Sequence, residues 1–348
     1  MLTTSQTRFL RCWPAFCLVA FVSISARSAR ADGLPGDHCA VRIVEDVPYY
    51  KGADADPIRH RLDLYLPEGK KNVPVLVMVH GGAWVVGDKC FFGWGPDIGR
   101  YFASQGFAVV MPSYRLSPTV RHPEHVKDVA RACAWTEKQI CSYGGNAAEL
   151  FLCGHSAGGH LVSLLATNPD FLRAEGLPVS VIKGVISVSG VYRIPAIDLS
   201  FGLPGLSNGA VRALTSLFGA AAPKGGTEKP LPAPRPEGCK IPWNLLCTVF
   251  GSDMKGCASA SPLTYVRRGL PPFLLINAER DLPLLPQMAR EFAEALRAAD
   301  DQVTEKVFKG RDHEDVMFLA SSDQDPVAQA ISAFIRHHCH RPAPAGTR

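Results

Sequence analysis

The sequence predicts an α/β fold in which helices cover both faces of one mostly parallel β-sheet. Apolar stretches of strand length alternate with segments of helical periodicity, which is the pattern of a parallel sheet built from strand–helix units. Several stretches are apolar without interruption, such as residues 73–80 (VPVLVMVH) and 107–112 (FAVVMP). Unbroken apolar strands are expected where both faces of a sheet are buried.

The predicted elements begin near residue 40. Residues 40–49 and 61–66 are expected to form an antiparallel pair at one edge of the sheet. The other strands are predicted at 73–80, 107–112, 149–153, 183–189, 272–277 and 303–308, and the helices at 124–143, 157–166, 285–299 and 326–337. Residues 192–262 lack a strand pattern and are rich in Pro and Gly, so we interpret them as a cap insertion. The prediction is one domain over residues 32–340, followed by a tail at 341–348.

The first 31 residues have the features of a secretion signal. Arg8 and Arg11 precede an apolar run at 12–24, and Ala29-Arg30-Ala31 supplies small residues at cleavage spacing. The run is too short to span a bilayer comfortably, so an interfacial anchor is the alternative. We therefore expect an exported chain, periplasmic or secreted, without stable membrane insertion after cleavage.

Charge and cysteine content bear on partners and cofactors. The net charge of +5 is a mild excess with basic residues near both ends, and no basic stripe interleaved with aromatic residues runs through the chain. Nucleic acid is therefore not expected as a partner. There is no CxxC pair to support zinc, and no metal or organic cofactor is expected. Cys239, Cys247 and Cys257 are the disulfide candidates for an oxidising compartment. The sequence does not indicate an oligomeric state.

The segment Gly154-His155-Ser156-Ala157-Gly158-Gly159 joins a predicted strand to a predicted helix. A G-x-S-x-G motif in this setting predicts a nucleophile elbow, a turn so tight that glycine is needed on both sides of the serine. The turn holds the hydroxyl at a helix N-terminus, where N–H groups favour developing negative charge. Ser156 is the predicted nucleophile. A glycine-rich phosphate-binding or packing turn is the alternative.

A second glycine-containing loop follows the predicted strand at 73–80. Its sequence is His80-Gly81-Gly82-Ala83-Trp84, and glycine lets main-chain N–H groups approach a ligand closely. Acyl transfer needs such donors for its oxyanion. We predict an oxyanion hole from the N–H groups of Gly82 and Ala157, with Gly81 and Ala83 as alternatives.

These motifs resemble those of the α/β-hydrolase esterase/lipase family, in the branch with hormone-sensitive lipase, bacterial feruloyl-esterase-like proteins and kynurenine formamidases. The resemblance runs from about residue 49 to the final helix and continues in that family's order through the following segments: Tyr114-Arg115-Leu116-Ser117-Pro118, Ala260-Ser261-Pro262-Leu263, Ala278-Glu279-Arg280-Asp281 and Asp312-His313-Glu314. It implies an α/β-hydrolase fold and a serine hydrolase. Ala83 replaces the third glycine of the lipase-type loop, and the insertion at 192–262 is longer and richer in Pro and Cys.

A serine hydroxyl needs a base and an orienting carboxylate to become a nucleophile. In this family the order along the chain is serine, acid, histidine. Asp281 follows the predicted strand at 272–277, and His313 follows the one at 303–308, so both should reach the sheet edge that carries Ser156. We predict Asp281 as the acid and His313 as the base. Glu279 is the alternative acid.

Several nearby residues are predicted to support the site. Trp84 is interpreted either as a pocket wall or as core, and His155 as a substrate-binding residue that shapes the site. Asp128 resembles the family's structural aspartate, and a pair with Arg115 is expected.

The predicted reaction is therefore hydrolysis of a carboxylic ester through an acyl-enzyme. Export favours small-molecule or carbohydrate-linked substrates, with short-chain, acetyl or feruloyl-type acyl groups. An arylformamidase reaction like that of kynurenine formamidases uses the same machinery and is the alternative enzyme. A non-catalytic binding module on a hydrolase scaffold is the alternative from another class.

Overall fold

A computed structural model describes residues 38–90, 93–195, 245–251 and 253–339. The predicted signal at 1–31, the tail at 341–348 and most of the predicted cap lie outside these ranges, as does Cys239. Cys257 carries a free thiol, so the prediction that it belongs to a disulfide is wrong.

One sheet of eight strands organises the described chain, in the spatial order β1-β2-β4-β3-β5-β6-β7-β8. The strands are β1 Val41–Pro48, β2 Arg61–Pro67, β3 Val73–Val79, β4 Ala108–Pro112, β5 Gly145–His155, β6 Ile182–Val188, β7 Phe273–Arg280 and β8 Val303–Asp312. Strand β2 pairs antiparallel with β1 and β4, and all other pairs are parallel. This confirms the mostly parallel sheet with an antiparallel pair at its edge.

The strands are flanked by α-helices. They are α1 Gly95–Ser104, α2 Glu124–Gln139, α3 Ala157–Thr167, α4 Pro169–Ala174, α5 Leu245–Phe250, α6 Met254–Ser259, α7 Leu285–Ala298, α8 Asp315–Phe318 and α9 Pro326–His338. The helix predicted at 124–143 is α2 continued by a 3₁₀ turn, Ile140–Tyr143, which ends at Gly144 with φ 97°.

Helix α1 was not predicted from the sequence. Its segment contains a proline and two glycines, which weaken any helical pattern. It forms because Ile98, Phe102 and Ala103 lie on one buried face. Gly99 packs against Tyr65 so closely that a Cβ would lie 2.6 Å from the Tyr65 ring. Tertiary packing therefore determines this helix.

Two clusters of buried apolar side chains pack the helices against the sheet, one on each face. The larger one joins α2, α3 and α7 to one face, through side chains such as Val129, Leu161 and Phe292. The second joins α1, α8 and α9 to the other face, through Phe102, Met317 and Ile331 among others. The central strands are thus buried on both sides, as their unbroken apolar sequences predicted.

Parallel strands end at the same edge of a sheet, and four segments that follow β3, β5, β7 and β8 converge there. Strands β7 and β8 are longer than predicted and run to Arg280 and Asp312. Asp281 and His313 are therefore each the first residue after a strand. This topology brings residues far apart in sequence to one site.

Candidate active site

Ser156 lies at a strained turn between β5 and α3. Its backbone has φ 54° and ψ −116°, a sparsely populated conformation for a residue with a Cβ that costs about 1–3 kcal/mol. A Cβ on Gly154 would lie 2.3 Å from the carbonyl oxygen of Gly158, and one on Gly158 would lie 2.1 Å from that of Val79. Both positions therefore require glycine.

Ser156, His313 and Asp281 form one hydrogen-bonded series. The Ser156 hydroxyl donates to His313 Nε2 at 3.0 Å. His313 Nδ1 donates to Asp281 Oδ1 at 2.7 Å. Ser156 is 8% exposed and His313 5% exposed, so both side chains are largely shielded from solvent. This is the geometry of a hydroxyl, a base and a carboxylate that fixes the tautomer of the base.

The Asp281 carboxylate is buried and accepts five hydrogen bonds. Its donors are His313 Nδ1 and the Leu282 N–H on Oδ1, and Ser189 Oγ, Asn277 Nδ2 and the Ala278 N–H on Oδ2. Burial raises the pKa of this carboxyl, but the hydrogen bonds and the attraction of His313 outweigh burial and hold the pKa at about 2. Asp281 is therefore ionised at neutral pH.

The alternative acid, Glu279, has a different environment. Its side chain is exposed, and its Oε2 accepts from the Gly310 N–H at 2.8 Å. The residue on His313 Nδ1 is Asp281.

Ser189 and Asn277 were not identified from the sequence. Ser189 follows β6 with φ 50° and is fully buried, and its Oγ lies 2.6 Å from Asp281 Oδ2. Asn277 lies inside β7 and contacts the same oxygen at 3.1 Å. A polar side chain at the carboxyl end of an otherwise apolar strand is the sequence signal that marks both residues.

The loop of Gly81, Gly82 and Ala83 lies beside Ser156. A Cβ on Gly81 would lie 3.2 Å from Ser156 Cβ. Gly82 and Ala83 have φ 104° and 50°. The carbonyl of Gly82 accepts hydrogen bonds from the N–H groups of Val85 and Val86. These hydrogen bonds form the turn, and the N–H group of Gly82 takes no part in them.

Helix α3 begins at Ala157, and the first N–H groups of a helix have no partner within the helix. The N–H of Ala157 therefore belongs to a positive helix end next to the Ser156 side chain. The predicted oxyanion hole from Gly82 and Ala157, with Gly81 and Ala83 as alternatives, stays a prediction.

The side chains of His80 and Tyr114 hold the loop at 80–84 in place. Their rings stack at 4.2 Å with 9° between the planes. The Tyr114 hydroxyl donates to the His80 carbonyl at 3.1 Å, and His80 Nδ1 donates to the Gly81 carbonyl at 2.7 Å. These contacts fix the loop against the sheet edge.

Trp84 is 4% exposed and connects this loop to α3 and to the last part of the predicted insertion. Its indole N–H donates to His160 Nδ1 at 3.2 Å, and His160 Nε2 donates to the Ala260 carbonyl at 2.7 Å. Phe250 packs edge-on against Trp84. These are core contacts, one of the two interpretations made from the sequence.

His155 is 2% exposed and contacts the main chain of the neighbouring loop. Its Nε2 donates to the His313 carbonyl at 2.8 Å. Burial lowers the pKa of His155 to about 3, so the ring is neutral. Its predicted contact with substrate stays a prediction, whereas its contact with the His313 loop is direct.

The expected pair of Arg115 and Asp128 is confirmed. The carboxylate of Asp128 accepts from the Arg115 side chain at 2.9 and 2.8 Å and from its main-chain N–H at 3.0 Å. Arg131 contributes a further contact at 3.0 Å. This buried network fixes the start of the segment that follows β4.

Within the described ranges, no three His, Cys, Asp or Glu side chains come together as a group that would hold a metal ion. No helix in those ranges has the length and hydropathy to cross a membrane.

The BD-FAE family model matches residues 62–197, which include the loop at 80–84 and the Ser156 turn. Esterase LipC of Mycobacterium tuberculosis is 31% identical over 275 residues, covering 78% of this chain and 60% of LipC. These similarities support assignment to the esterase/lipase family of α/β-hydrolases. Isoprenylcysteine α-carbonyl methylesterase ICME of Arabidopsis thaliana is 29% identical, covering 78% of this chain and 56% of that relative. The chain thus spans little more than half the length of either relative.

Solved structures show the same α/β-hydrolase fold. Esterase B of Lactobacillus rhamnosis superposes with a TM-score of 0.62 at 22% identity, covering 88% of this chain and 86% of that chain. A truncated carbohydrate esterase from gut microbiota superposes with a TM-score of 0.63 at 18% identity, covering 87% of this chain and 97% of that one. This α/β-hydrolase therefore shares its architecture with esterases of diverse sequence.

Proposed function

We propose that this protein hydrolyses carboxylic esters, with Ser156 as nucleophile, His313 as general base and Asp281 as the carboxylate that orients the base. The hydrogen-bonded series at 3.0 and 2.7 Å supports the assignment most directly. The strained backbone of Ser156 supports it further, because strain of this kind is typical of functional residues. The names of the relatives, esterase and methylesterase, agree with the reaction class.

In the first half of the reaction, His313 Nε2 takes the Ser156 proton while Oγ forms a bond to the ester carbonyl carbon. The carbonyl oxygen becomes an oxyanion, which the N–H groups of Gly82 and Ala157 stabilise. His313 then gives its proton to the alcohol oxygen, and the carbon–oxygen bond breaks. The alcohol leaves, and the acyl group remains on Ser156.

In the second half, His313 Nε2 takes a proton from water, and the water oxygen attacks the acyl carbon. The oxyanion forms at the same N–H groups. His313 returns the proton to Ser156 Oγ as the acyl–oxygen bond breaks, and the acid is released. Asp281 keeps its charge throughout and stabilises the imidazolium ion that forms in each half.

The proposed substrates are short-chain, acetyl or feruloyl-type esters, including carbohydrate-linked ones. The names of two structural neighbours are compatible with these substrates: the Thermogutta terrifontis esterase is butyrate-bound, and the gut protein is a carbohydrate esterase.

The test is hydrolysis of 4-nitrophenyl acetate by the full chain and by Ser156→Ala and His313→Ala. Each variant is expected to lose at least about three orders of magnitude in kcat, as in other triads. Ser142→Ala is the control, because its exposed hydroxyl contacts only the Gln139 carbonyl. Turnover retained in Ser156→Ala, or hydrolysis of N-formylkynurenine without ester hydrolysis, would contradict the proposal.

Export is proposed from the sequence pattern of residues 1–31. Expression in a Gram-negative host, followed by fractionation and N-terminal sequencing, tests it. The expected result is periplasmic protein that begins near Asp32. An intact N-terminus in the cytoplasmic fraction would contradict the proposal.

A further inference from the structure

The turn that follows Gly82 has a left-handed backbone at two residues that carry side chains. Ala83 and Trp84, its central residues, have φ 50° and 62°. The N–H of Val85 closes the turn on the Gly82 carbonyl at 3.0 Å. Turns with positive φ at both central positions favour glycine and asparagine, because a Cβ crowds the main chain there. Contacts outside the turn are therefore needed to hold it in this conformation.

Three contacts hold Trp84, which is 4% exposed. The Ser117 N–H donates to the Trp84 carbonyl at 2.9 Å, and the indole N–H donates to His160 Nδ1 at 3.2 Å. The ring of Phe250 lies edge-on against the indole, with 4.8 Å between the centroids and 80° between the planes. A change in the Trp84 main chain would displace the indole and break these contacts, so they stabilise the turn.

Phe250 also contacts the helix that follows Ser156. Its ring lies 5.5 Å from that of His160, with 73° between the planes. The His160 N–H donates to the Ser156 carbonyl at 3.0 Å, so His160 lies in the first turn of α3, which begins at Ala157. One side chain therefore supports both sides of the proposed oxyanion hole, which are the turn after Gly82 and the N-terminus of α3.

Phe250 belongs to the predicted insertion at 192–262 and is the last residue of α5. It is 6% exposed, and Val249 is fully buried. The Val249 carbonyl accepts the His122 N–H at 2.9 Å, and the His122 ring lies 5.7 Å from that of Phe250. These contacts fix the end of α5 to the segment that precedes α2, so the position of the Phe250 ring does not depend on Trp84 alone.

We propose that Phe250 is a positioning residue for ester hydrolysis and fixes the spacing of the two N–H groups, those of Gly82 and Ala157, that stabilise the oxyanion. The inference rests on the proposed function and assigns a role in it to a residue of the insertion. Phe250 acts through Trp84 and His160 and does not contact the substrate. Without its ring the turn relaxes toward negative φ, and the Gly82 N–H moves away from the oxyanion. These donors act mainly in the transition state, so their displacement lowers kcat with little effect on KM.

The test is Phe250→Leu, which keeps an apolar side chain but removes the ring. With 4-nitrophenyl acetate, kcat is expected to fall by about 10- to 100-fold while KM changes by less than about threefold. The affinity for phenylboronic acid, which adds to Ser156 Oγ as a tetrahedral anion, is expected to fall by a similar factor. The acid limb of the kcat/KM profile should not shift, because the base His313 is left in place.

Phe334→Leu is the matched control. Phe334 is 8% exposed and lies on α9, in the apolar cluster on the other face of the sheet. The substitution removes the same atoms at a similar burial. It is expected to lower the melting temperature about as much as Phe250→Leu does, but to leave kcat and the binding of phenylboronic acid unchanged.

Ala83→Gly tests whether Phe250 acts through the strain of the turn. Glycine adopts positive φ without a steric penalty, so the turn then needs less support from outside. The loss of kcat caused by Phe250→Leu is therefore expected to be at least about threefold smaller in an Ala83→Gly background than in the unaltered protein. The same loss in both backgrounds would overturn the inference, because a side chain that only fills the core gives that result.

Two further results would overturn the inference while ester hydrolysis by Ser156 stands. One is a folded Phe250→Leu variant with an unchanged kcat. The other is an equal loss of kcat in Phe334→Leu, which would show a general effect of core packing. If the unaltered protein does not hydrolyse 4-nitrophenyl acetate and does not bind phenylboronic acid, the proposed function itself fails and the inference with it.

Discussion

The side chain of His155 and the main chain of His313 are hydrogen-bonded at 2.8 Å, with the ring Nε2 donating to the carbonyl. The two residues lie 158 positions apart. His155 is the last residue of β5 and His313 is the first residue after β8, and both strands end at the same edge of the sheet. His155 also directly precedes Ser156 in the chain. It therefore connects the turn that carries the proposed nucleophile to the loop that carries the proposed base. We therefore expect the His155 ring to help hold the imidazole of His313 at its distance from the Ser156 hydroxyl.

His155→Phe is expected to lower kcat by about 10- to 100-fold with little change in KM, because the ring volume stays but the donor to the His313 carbonyl is lost. His155→Gln keeps an amide donor and is expected to recover most of kcat. Steady-state kinetics with 4-nitrophenyl acetate measure both. If the Phe variant is as active as the unaltered protein, His155 does not position His313.

Ser189→Ala is expected to lower kcat by about 3- to 30-fold, because Asp281 loses the shortest of its contacts on Oδ2. Without this donor the pKa of Asp281 should rise from about 2. The acid limb of the kcat/KM profile should therefore change in Ser189→Ala but not in Ser142→Ala. Identical profiles for Ser189→Ala and the unaltered protein would contradict a positioning role.

Acid should destabilise this fold before most carboxylates titrate. Burial lowers the pKa of five histidines to about 3 or 4; they are His80, His122, His125, His155 and His160. In the unfolded chain these rings take protons from about pH 6.5 downward, whereas in the folded chain they stay neutral until about pH 4. Between about pH 6.5 and pH 4, unfolding therefore takes up protons, and the free energy of unfolding falls as the pH falls.

Each such proton changes the free energy of unfolding by up to about 1.4 kcal/mol per pH unit. Thermal unfolding at pH 7.5, 6 and 5 should show a steep loss of Tm. His160→Gln keeps donor and acceptor atoms but cannot titrate, so it should reduce the slope by about one proton. A Tm that is constant from pH 7.5 to pH 5 would show that these rings are not buried as neutral groups.

Asp128→Asn is expected to lower the free energy of unfolding by about 3 kcal/mol, because it leaves Arg115 and Arg131 without their buried counter-charge. The matched control is Asp170→Asn, which breaks an ion pair with Arg173 whose side chains are 73% and 72% exposed. That change should cost less than about 1 kcal/mol. Urea unfolding measures both, and equal losses would mean that the Asp128 network does not stabilise the fold.

The sheet and the Ser156 turn were predictable because their signals are local. The apolar run of β3 shows burial on both faces, and the glycines around Ser156 reflect clashes with atoms a few residues away or on the adjacent strand. Helix α1 was missed because Gly99 is favoured by the Tyr65 ring, a contact that no local pattern contains.

The sequence predicted where the proposed catalytic carboxylate lies along the chain, but not which groups surround it. Asp281 and Glu279 lie two residues apart on the same segment, and their different partners, His313 and Gly310, appear only once β7 and β8 are paired. Ser189 lies 92 residues from Asp281. Its role depends on β6 and β7 being neighbours, which the sequence order alone does not state.

The reactivity of Ser156 is the central claim, and covalent labelling tests it most directly. The full chain is treated with the organophosphate 4-nitrophenyl diethyl phosphate, and the modified peptide is identified by mass spectrometry. We predict one phosphoryl group, on the peptide that contains Ser156, no labelling of Ser156→Ala, and labelling slowed by at least about a thousandfold in His313→Ala. A label on another residue, or full labelling of Ser156→Ala, would contradict the account.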